Sequence, residues 1–449
     1  MKKILFFLTL LLSPIVLAQG FWTQLHPFPN NNNCRPMLVS AAGSEIVWTI
    51  GNEPGNESSG IYKWALSADR GTVWSQGNIN LGNPDLRISS VFAVSATTAY
   101  VTVYPLSTEI TGGVWVTYDS GLNWSKQTTA LFNNPQQSFP DFAHFWNPQK
   151  GITVGDPENG YFEIYLTEDG GTNWNRISAE NIPPALQNEY GIISKYEFSE
   201  NNFWFATNLG RLFKSSDHGL TWQVLQTPIQ DFGGLNTLDI AFKNDLEGIL
   251  ISNQWEFHYT TDGGETWQLR TDITGDYRNG SVWNIPETNG TYLNGGTGLI
   301  TGNNGASFTT NNGTDWTDVA IFDENPVVPL HAAIINNNIG YCIGFYASED
   351  GLNSNYSLFK FAGAELKTES FRKNRISATP NPANNNITIH GVDIIGVKLF
   401  DTSGKNVLDR NFTPTTVVLL DLENLESGIY SAGITDVSGS IMTTKIIKK

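Results

Sequence analysis

Six short segments of this sequence share the pattern Ser/Thr-x-Asp-x-Gly-x-x-Trp, with a carboxylate or carboxamide at the third position. That position is occupied by Asp69, Asp119, Asp169, Asp217, Asp262 and Asn311. A carboxylate in a turn can act as a general acid or base, bind a cation, or accept hydrogen bonds from the turn's own backbone. A catalytic carboxylate could not be exchanged for the amide of Asn311, whereas an amide oxygen still accepts hydrogen bonds. The pattern therefore predicts a structural role for all six residues.

The other positions of the pattern fit a tight turn that leads into a packed strand. The Ser/Thr hydroxyl offers a second acceptor to the turn. Glycine at the fifth position adopts a positive φ at little cost. The tryptophan starts the next strand, where it can bury a large apolar area between neighbouring sheets.

The third positions follow one another at intervals of 50, 50, 48, 45 and 49 residues. A fixed period of this size, with four strand-sized runs in each repeat, is typical of β-propeller blades. After the sixth copy, residues 318–361 still contain three strand-like runs, and "FWTQL" at 21–25 resembles the strand that follows each turn. The sequence predicts an all-β chain, with a seven-bladed β-propeller at 19–366 whose last blade is completed by the N-terminal strand.

The N-terminus indicates an exported protein. Lys2 and Lys3 precede an apolar run from 4 to 16, which predicts a signal peptide at 1–18 and no transmembrane segment in the mature protein. The net charge of −17 is concentrated in the propeller region, so a nucleic acid partner is not expected.

Cys34 and Cys342 are far apart in the sequence. The sequence leaves two alternatives for them, a disulfide or two free thiols.

The repeated pattern is similar to the Asp-box, or BNR, repeat of sialidases, xyloglucanases, sortilin-type receptors and photosystem II assembly-factor-like propellers. The resemblance covers residues 21–366 and implies that each box lies between the third and fourth strands of a blade, away from the binding face. Sialidases of this group need an arginine triad and an early Arg-Ile-Pro motif, but here Arg35 directly precedes Pro36. Arg176 and Arg211 flank boxes and are expected at the box end. Sialidase activity is therefore not expected.

A separate unit follows the propeller. Residues 367–376 are expected to be a linker, and 377–449 a small β-sandwich. This tail resembles the C-terminal sorting domain of the type IX (Por) secretion system of Bacteroidetes, in Pro380-Asn381-Pro382-Ala383, Gly404-Lys405, Ser427-Gly428-Ile429-Tyr430 and Lys445-Ile446-Ile447-Lys448. The resemblance implies that the type IX machinery is a partner, and that the protein crosses the outer membrane to be released or attached to the cell surface.

Acidic residues cluster in the predicted connections between the second and third strands of blades seven, one, two and three. We call this set the acidic arc: Glu53, Glu57, Glu109, Asp156, Glu158, Glu349 and Asp350. Because these four blades are neighbours in a ring, the arc is expected to occupy one half of the face opposite the boxes. It could bind a glycan, a basic protein segment or Ca²⁺, whose preferred ligands are oxygen atoms. No other cofactor is indicated.

These features favour a non-catalytic binding or adhesion protein that takes a glycan or a protein as its ligand. The alternative is an extracellular glycoside hydrolase acting on polysaccharide, since such enzymes need only two suitably placed carboxylates. The sequence leaves the ligand and the catalytic residues, if there are any, unidentified.

Overall fold

The computed structural model describes residues 22–29, 34–53, 60–229, 237–319, 327–347, 354–362, 377–402, 404–437 and 441–449. The proposed signal peptide and linker, and three residues of the acidic arc (Glu57, Glu349 and Asp350), lie outside these ranges. The chain divides into two compact units, 1–363 and 364–449.

The first unit consists of seven antiparallel sheets of four strands, which are the blades of a propeller. Blades one to three contain β2 (Arg35–Ala42), β3 (Ile46–Asn52), β4 (Ile61–Ser67) and β5 (Ser75–Asn80); β6 (Leu86–Ala93), β7 (Ala99–Pro105), β8 (Gly113–Thr117) and β9 (Ser125–Lys126); and β10 (Pro140–Phe145), β11 (Gly151–Glu158), β12 (Tyr161–Thr167) and β13 (Asn175–Arg176). Blades four and five contain β14 (Gly191–Phe198), β15 (Phe203–Thr207), β16 (Arg211–Ser215) and β17 (Gln223–Gln226); and β18 (Leu238–Phe242), β19 (Gly248–Ser252), β20 (Phe257–Thr260) and β21 (Gln268–Leu269).

Blades six and seven complete the ring. They contain β22 (Val282–Asn284), β23 (Tyr292–Thr297), β24 (Asn304–Thr309) and β25 (Thr317–Asp318); and β26 (Val328–Asn336), β27 (Ile339–Ala347), β28 (Ser354–Ala362) and β1 (Trp22–Leu25). A single 3₁₀ turn, Ala179–Asn181, is the helical element among the described residues. Within those residues no helix is long and apolar enough to cross a membrane.

The middle strands of the blades are apolar on both faces. All five residues of β15 ("FWFAT") and of β19 ("GILIS") are buried. This follows from the ring, because each sheet is covered by a neighbouring blade on either side and neither face meets water. The strands therefore appear in the sequence as continuous apolar runs rather than as an alternating pattern.

The N-terminal strand closes the ring, as predicted. β1 pairs with β28 in antiparallel register, from Trp22 opposite Phe361 to Leu25 opposite Leu358. The Trp22 ring is buried and makes edge contacts with Phe359 and Phe361. The outer edge of the last blade is thereby paired along the whole of β1.

The box glycines set how closely successive blades approach. A Cβ atom on Gly121, in the box of blade two, would lie 2.6 Å from the Trp64 ring of blade one. Gly219 meets Leu166 of blade three in the same way, and Gly71 of blade one meets Leu25 of the closing strand, with a Cβ distance of 2.8 Å. Each box is therefore packed on the preceding blade, and β1 provides that surface for blade one.

The second unit is a five-stranded sheet. Its strands are β29 (Ser377–Thr379), β30 (Asn386–Phe400), β31 (Asn406–Asp421), β32 (Gly428–Asp436) and β33 (Ile441–Lys448). The long β30 pairs with β29, β31 and β32, and the unit has its own core, which includes Ile389, Leu399, Val418 and Ile434.

Both cysteines are free and buried. Burial raises the pKa of the Cys34 thiol to about 12, and it raises the pKa of Cys342 as well. Of the two alternatives left open by the sequence, the structure has the free thiols.

Candidate functional site

The box turns show the hydrogen bonds that the sequence predicts. In blade three, Asp169 Oδ1 accepts from the backbone N–H of Asn173 at 2.8 Å and from the Thr167 hydroxyl at 3.0 Å. The Thr167 hydroxyl oxygen accepts from the N–H of Gly171 at 2.8 Å. These bonds hold the pKa of Asp169 below its usual value. A feature that the sequence did not reveal is that both the fourth and the fifth box residues have positive φ, here 67° at Gly170 and 77° at Gly171.

The topology gives the propeller two distinct edges. The box turns contact the turns between the first and second strands. The backbone N–H of Gly170 donates to the carbonyl oxygen of Gln149, and the N–H of Gly263 donates to the carbonyl oxygen of Leu246. We call this the box edge. The connections between second and third strands, and those between blades, lie at the opposite edge.

Of the described residues of the acidic arc, Glu53 and Glu109 follow the second strands of blades one and two, whereas Asp156 and Glu158 lie at the end of the second strand of blade three. Most of these carboxylates are engaged within the chain. Glu53 forms an ion pair with Lys63 at 3.2 Å, and Glu158 forms one with Arg176. Glu109 lies exposed in the connection after β7. Asp156 is partly buried. "GDPENG" at 155–160 is mostly strand, because β11 continues to Glu158 and only Asn159-Gly160 turns the chain.

The expected position of the two box-flanking arginines was wrong. Arg211 is the first residue of β16, whose other end carries the box, and its Nε lies 3.1 Å from Glu189. Arg176 reaches Glu158, where β11 ends at the opposite edge. Each guanidinium is paired with a carboxylate of its own blade region, so neither is placed to join an arginine triad.

A large cavity forms the central channel of the propeller. It has a volume of about 1100 Å³ and is lined by the first strands of blades one, two, four, five, six and seven. Its lining continues onto the box-edge turns of blades four, five and six, at 199–202, 243–247 and 285–291. The resemblance implied a binding face away from the boxes, whereas this cavity reaches the box edge.

A bulge in β14 narrows the channel. The pairing of β14 with β15 shifts register between Gly191 and Tyr196, and Ser194 has a φ of 56°. Its hydroxyl donates to the carbonyl of Ser89, in blade two, at 3.3 Å. Blade four therefore reaches past blade three, and the extra residue turns Lys195 toward blades five and six.

Lys195 is the centre of a polar cluster in the channel. Its ammonium group pairs with Asp239 of blade five and donates to the Ser281 hydroxyl of blade six at 3.2 Å. Burial, and then the charge of Lys195, lower the pKa of His331 in blade seven to about 4, so this imidazole is neutral at pH 7. Burial, followed by the charge of Asp239, raises the pKa of Glu197 well above its usual value.

The box-edge mouth of the channel combines acidic and apolar side chains. Glu200, Asp245 and Glu287 lie on the turns of blades four, five and six, and we call these three residues the acidic mouth. Phe198 and Leu246 stand beside them, with exposed fractions of 51% and 56%. No ion pair is formed by the acidic mouth with any described residue.

A second pair of carboxylates is buried between blades three and four. Both carboxylate oxygens of Asp141, on β10, are buried without a hydrogen-bond partner. The N–H of Gly191 donates to Asp156 Oδ1 at 2.8 Å, and a Cβ on Gly191 would collide with the Asp141 carboxylate, so both acids converge on this glycine. Burial raises the pKa of Asp156 to about 7. Burial and the charge of Asp156 raise that of Asp141.

Sequence reasoning missed Lys195, Glu197 and Asp239 in the channel, and it missed the buried Asp141 between blades three and four. The signal that could have found them is a charged residue inside an otherwise apolar first strand: Asp141 in "PDFAHF", Lys195 and Glu197 in "SKYEF", and Asp239 in "LDIAF". Among the described residues, no group of three or more His, Cys, Asp or Glu side chains is arranged to hold a metal ion.

Comparison with known families bears on both units. Residues 377–449 match the family described as "Secretion system C-terminal sorting domain", and residues 220–343 match "Photosynthesis system II assembly factor YCF48". The chain is an Asp-box β-propeller with a type IX secretion sorting domain. That tail indicates type IX secretion and an extracellular or cell-surface location for this Asp-box propeller.

Individual relatives agree on the fold. The photosystem II assembly lipoprotein Ycf48 of Synechococcus sp. (strain CC9902) is 23% identical over 219 residues, which span 47% of this chain and 61% of that protein. The structure "YCF48 bound to D1 peptide" has a TM-score of 0.53 at 14% identity, covering 77% of this chain and 98% of that chain. YCF48 from Cyanidioschyzon merolae gives 0.52 at 14% identity, covering 76% and 99%. At these identities the likeness shows a shared propeller fold.

Proposed function

We propose that this protein is a non-catalytic binding module that holds a segment of a partner protein in its central channel. The observation that carries the proposal is the channel itself, a cavity of about 1100 Å³ that six blades line together. Ligand sites are concave, largely apolar, and furnished with a few fixed polar groups. The channel has each of these properties, with Lys195 and Asp239 as its fixed polar pair.

A protein segment fits this channel better than a glycan does. The side chains that the channel offers are apolar and exposed, among them Phe198, Leu246 and Leu330, with exposed fractions of 51%, 56% and 44%. A glycan needs many free hydrogen-bonding partners, whereas Lys195 is already bonded to Asp239 and Ser281. One of the structural relatives, YCF48, was solved bound to a peptide, which supports the same class of ligand for this chain.

One observation favours the alternative of a glycoside hydrolase. Glu197, whose pKa is raised by burial, lines the same channel as Asp239, which forms an ion pair. A carboxyl group with a raised pKa and a second carboxylate in the same cavity are the combination that such enzymes use. However, Lys195 occupies the Asp239 carboxylate, and Asp239 also accepts from the N–H of Val282 at 3.1 Å. This carboxylate would have to exchange its partners before it could serve a substrate.

The test uses the mature protein on a peptide array, on a glycan array and in an assay for reducing ends released from polysaccharides. We expect binding to peptides, no release of reducing ends, and at least tenfold weaker peptide binding for Leu246→Ser at the channel mouth. Leu220→Ser is the matched control, because this leucine is equally exposed in the box turn of blade four, outside the channel lining. Release of reducing ends that is abolished by Glu197→Gln would establish the hydrolase instead.

The acidic arc is a separate proposal with its own test. If its carboxylates bind Ca²⁺, millimolar Ca²⁺ should raise the Tm of the mature protein, since extracellular sites commonly bind in that range. Glu53→Gln with Glu109→Gln should remove the rise, whereas Glu180→Gln with Glu265→Gln changes the net charge equally at exposed positions off the arc. An unchanged Tm at millimolar Ca²⁺ would rule out this site.

A further inference from the structure

We propose that the segment bound in the channel carries arginine, and that a guanidinium group enters the acidic mouth formed by Glu200, Asp245 and Glu287. This inference rests on the proposed function and names the chemistry of its ligand. It joins two features of one cavity, uncompensated negative charge and an exposed aromatic face, that meet at the box edge.

Among the described residues, no lysine or arginine forms an ion pair with the three carboxylates of the mouth. The nearest lysine on these turns, Lys243, pairs with Glu247 at 3.0 Å and donates to Asn312 at 3.1 Å. Its side chain is only 7% exposed, and its ammonium group is already engaged by Glu247 and Asn312. A cation that entered the mouth would therefore meet carboxylates that form no ion pair with a described residue.

Asp245 is held in place and kept ionised. Its carboxylate accepts from the backbone N–H of Asn201 at 3.2 Å, from the Asn201 side chain at 2.7 Å, and from the Ser199 hydroxyl. Partial burial acts to raise the pKa of Asp245, but these hydrogen bonds bring it below its usual value. A fixed, ionised carboxylate binds a cation with little further loss of conformational freedom.

The aromatic face favours arginine over lysine. His144 covers one side of the Phe198 ring, with ring centroids 4.2 Å apart, while half of the Phe198 side chain stays exposed at the mouth. A planar guanidinium can stack on such a ring and still offer paired N–H groups to a carboxylate, whereas an ammonium group is a compact, strongly hydrated charge. Leu246 is exposed next to Asp245 and can contact the aliphatic stem of the arginine.

The probes are four labelled, capped hexapeptides in which leucine alternates with arginine, lysine, citrulline or glutamate. Citrulline has the shape of arginine without its charge. Fluorescence anisotropy with the mature protein should give the order arginine, lysine, citrulline, glutamate, with at least tenfold between arginine and citrulline. Affinity for the arginine peptide should fall several-fold between 0.05 and 0.3 M salt, because exposed charges are screened over that range.

Two triple variants with equal charge change locate the effect. Glu200→Gln/Asp245→Asn/Glu287→Gln should weaken arginine-peptide binding at least tenfold. Glu168→Gln/Glu180→Gln/Glu265→Gln, at exposed positions outside the channel lining, should change it less than twofold. Equal effects of both triples, or equal binding of arginine and citrulline peptides, would overturn the inference while leaving the channel proposal intact. If the protein bound none of the peptides in preference to the others and instead bound a glycan, both the arginine inference and the channel proposal would be overturned.

Discussion

Replacing Asp156 by Asn should make the propeller more stable at alkaline pH, which is the opposite of what removing a surface charge would do. Asp156 and Asp141 converge on Gly191 in a buried site, and burial raises the pKa of Asp156 from 3.8 to about 7. Between pH 4 and 7 the folded chain therefore holds a proton that the unfolded chain releases. The free energy of unfolding falls as the pH rises through this window, and the full penalty is present above pH 7.

The size of the effect follows from the pKa of Asp156. One pKa unit corresponds to about 1.4 kcal/mol, so ionising this carboxyl in the folded protein at pH 8 costs on the order of 4 kcal/mol. The amide introduced by Asp156→Asn would keep an oxygen that accepts from Gly191 and would offer an N–H donor to Asp141. We expect Asp156→Asn to be more stable than the native protein by up to about 4 kcal/mol at pH 8, and nearly equal to it at pH 4.

The assay is guanidinium unfolding of the mature protein from pH 4 to pH 8, followed by tryptophan fluorescence. All 14 tryptophans lie between residues 22 and 316, so the signal reports on the propeller alone. Asp169→Asn is the control of opposite sign, because the pKa of this box carboxyl is lowered and its contribution is present at neutral pH. An Asp156→Asn protein whose stability parallels that of the native protein across the whole range would refute the raised pKa of Asp156 in this site.

Three further outcomes follow from the fold. Trp22→Ala should lower the free energy of unfolding by about 3–5 kcal/mol and promote aggregation, because it removes the buried ring of the closing strand. Deleting 372–449 should leave the Tm of the propeller unchanged. Equal damage from both changes would contradict ring closure by β1. Gly121→Ala should lower the free energy of unfolding by about 1–3 kcal/mol more than Gly82→Ala, because both glycines have positive φ but only Gly121 contacts a neighbouring blade. Calorimetry compares the two variants, and similar losses of stability would show that backbone conformation alone matters. Asp169→Ala should lower the Tm more than Asp169→Asn, with peptide binding unchanged in both; abolished binding at an unchanged Tm would place the box in a binding site.

The architecture was predictable because it depends on repeated local chemistry. Each box needs a glycine and an acceptor at fixed positions, so the spacing of the boxes marks six blades. The strand-like runs in 318–361 indicate the seventh blade, and residues 21–25 identify how the ring closes. The chemistry of the channel was not predictable by the same route. Which side chain of a first strand enters the channel depends on local register, and the bulge at Ser194 changes that register.

The acidic arc also shows that burial cannot be predicted from the sequence of one segment alone. "GDPENG" was interpreted as an acidic loop, yet its Asn159-Gly160 pair is a strong two-residue hairpin signal, and the residues before it continue β11. Asp156 consequently lies within a paired strand and is buried against Gly191 rather than displayed to solvent. Composition gave the charge of this segment correctly, but burial is decided by the neighbouring blade.

The closing strand also determines when the propeller can finish folding. Gln24 donates to the Ser357 hydroxyl at 2.8 Å, a contact between residues 333 positions apart in the chain. Such pairing waits until blade seven exists, and contacts of large sequence separation are slow to form. A chain that emerges from its N-terminus must therefore keep its first strand unpaired while six blades assemble, and during that interval the open edge is available to chaperones, to proteases or to a second copy of the same chain.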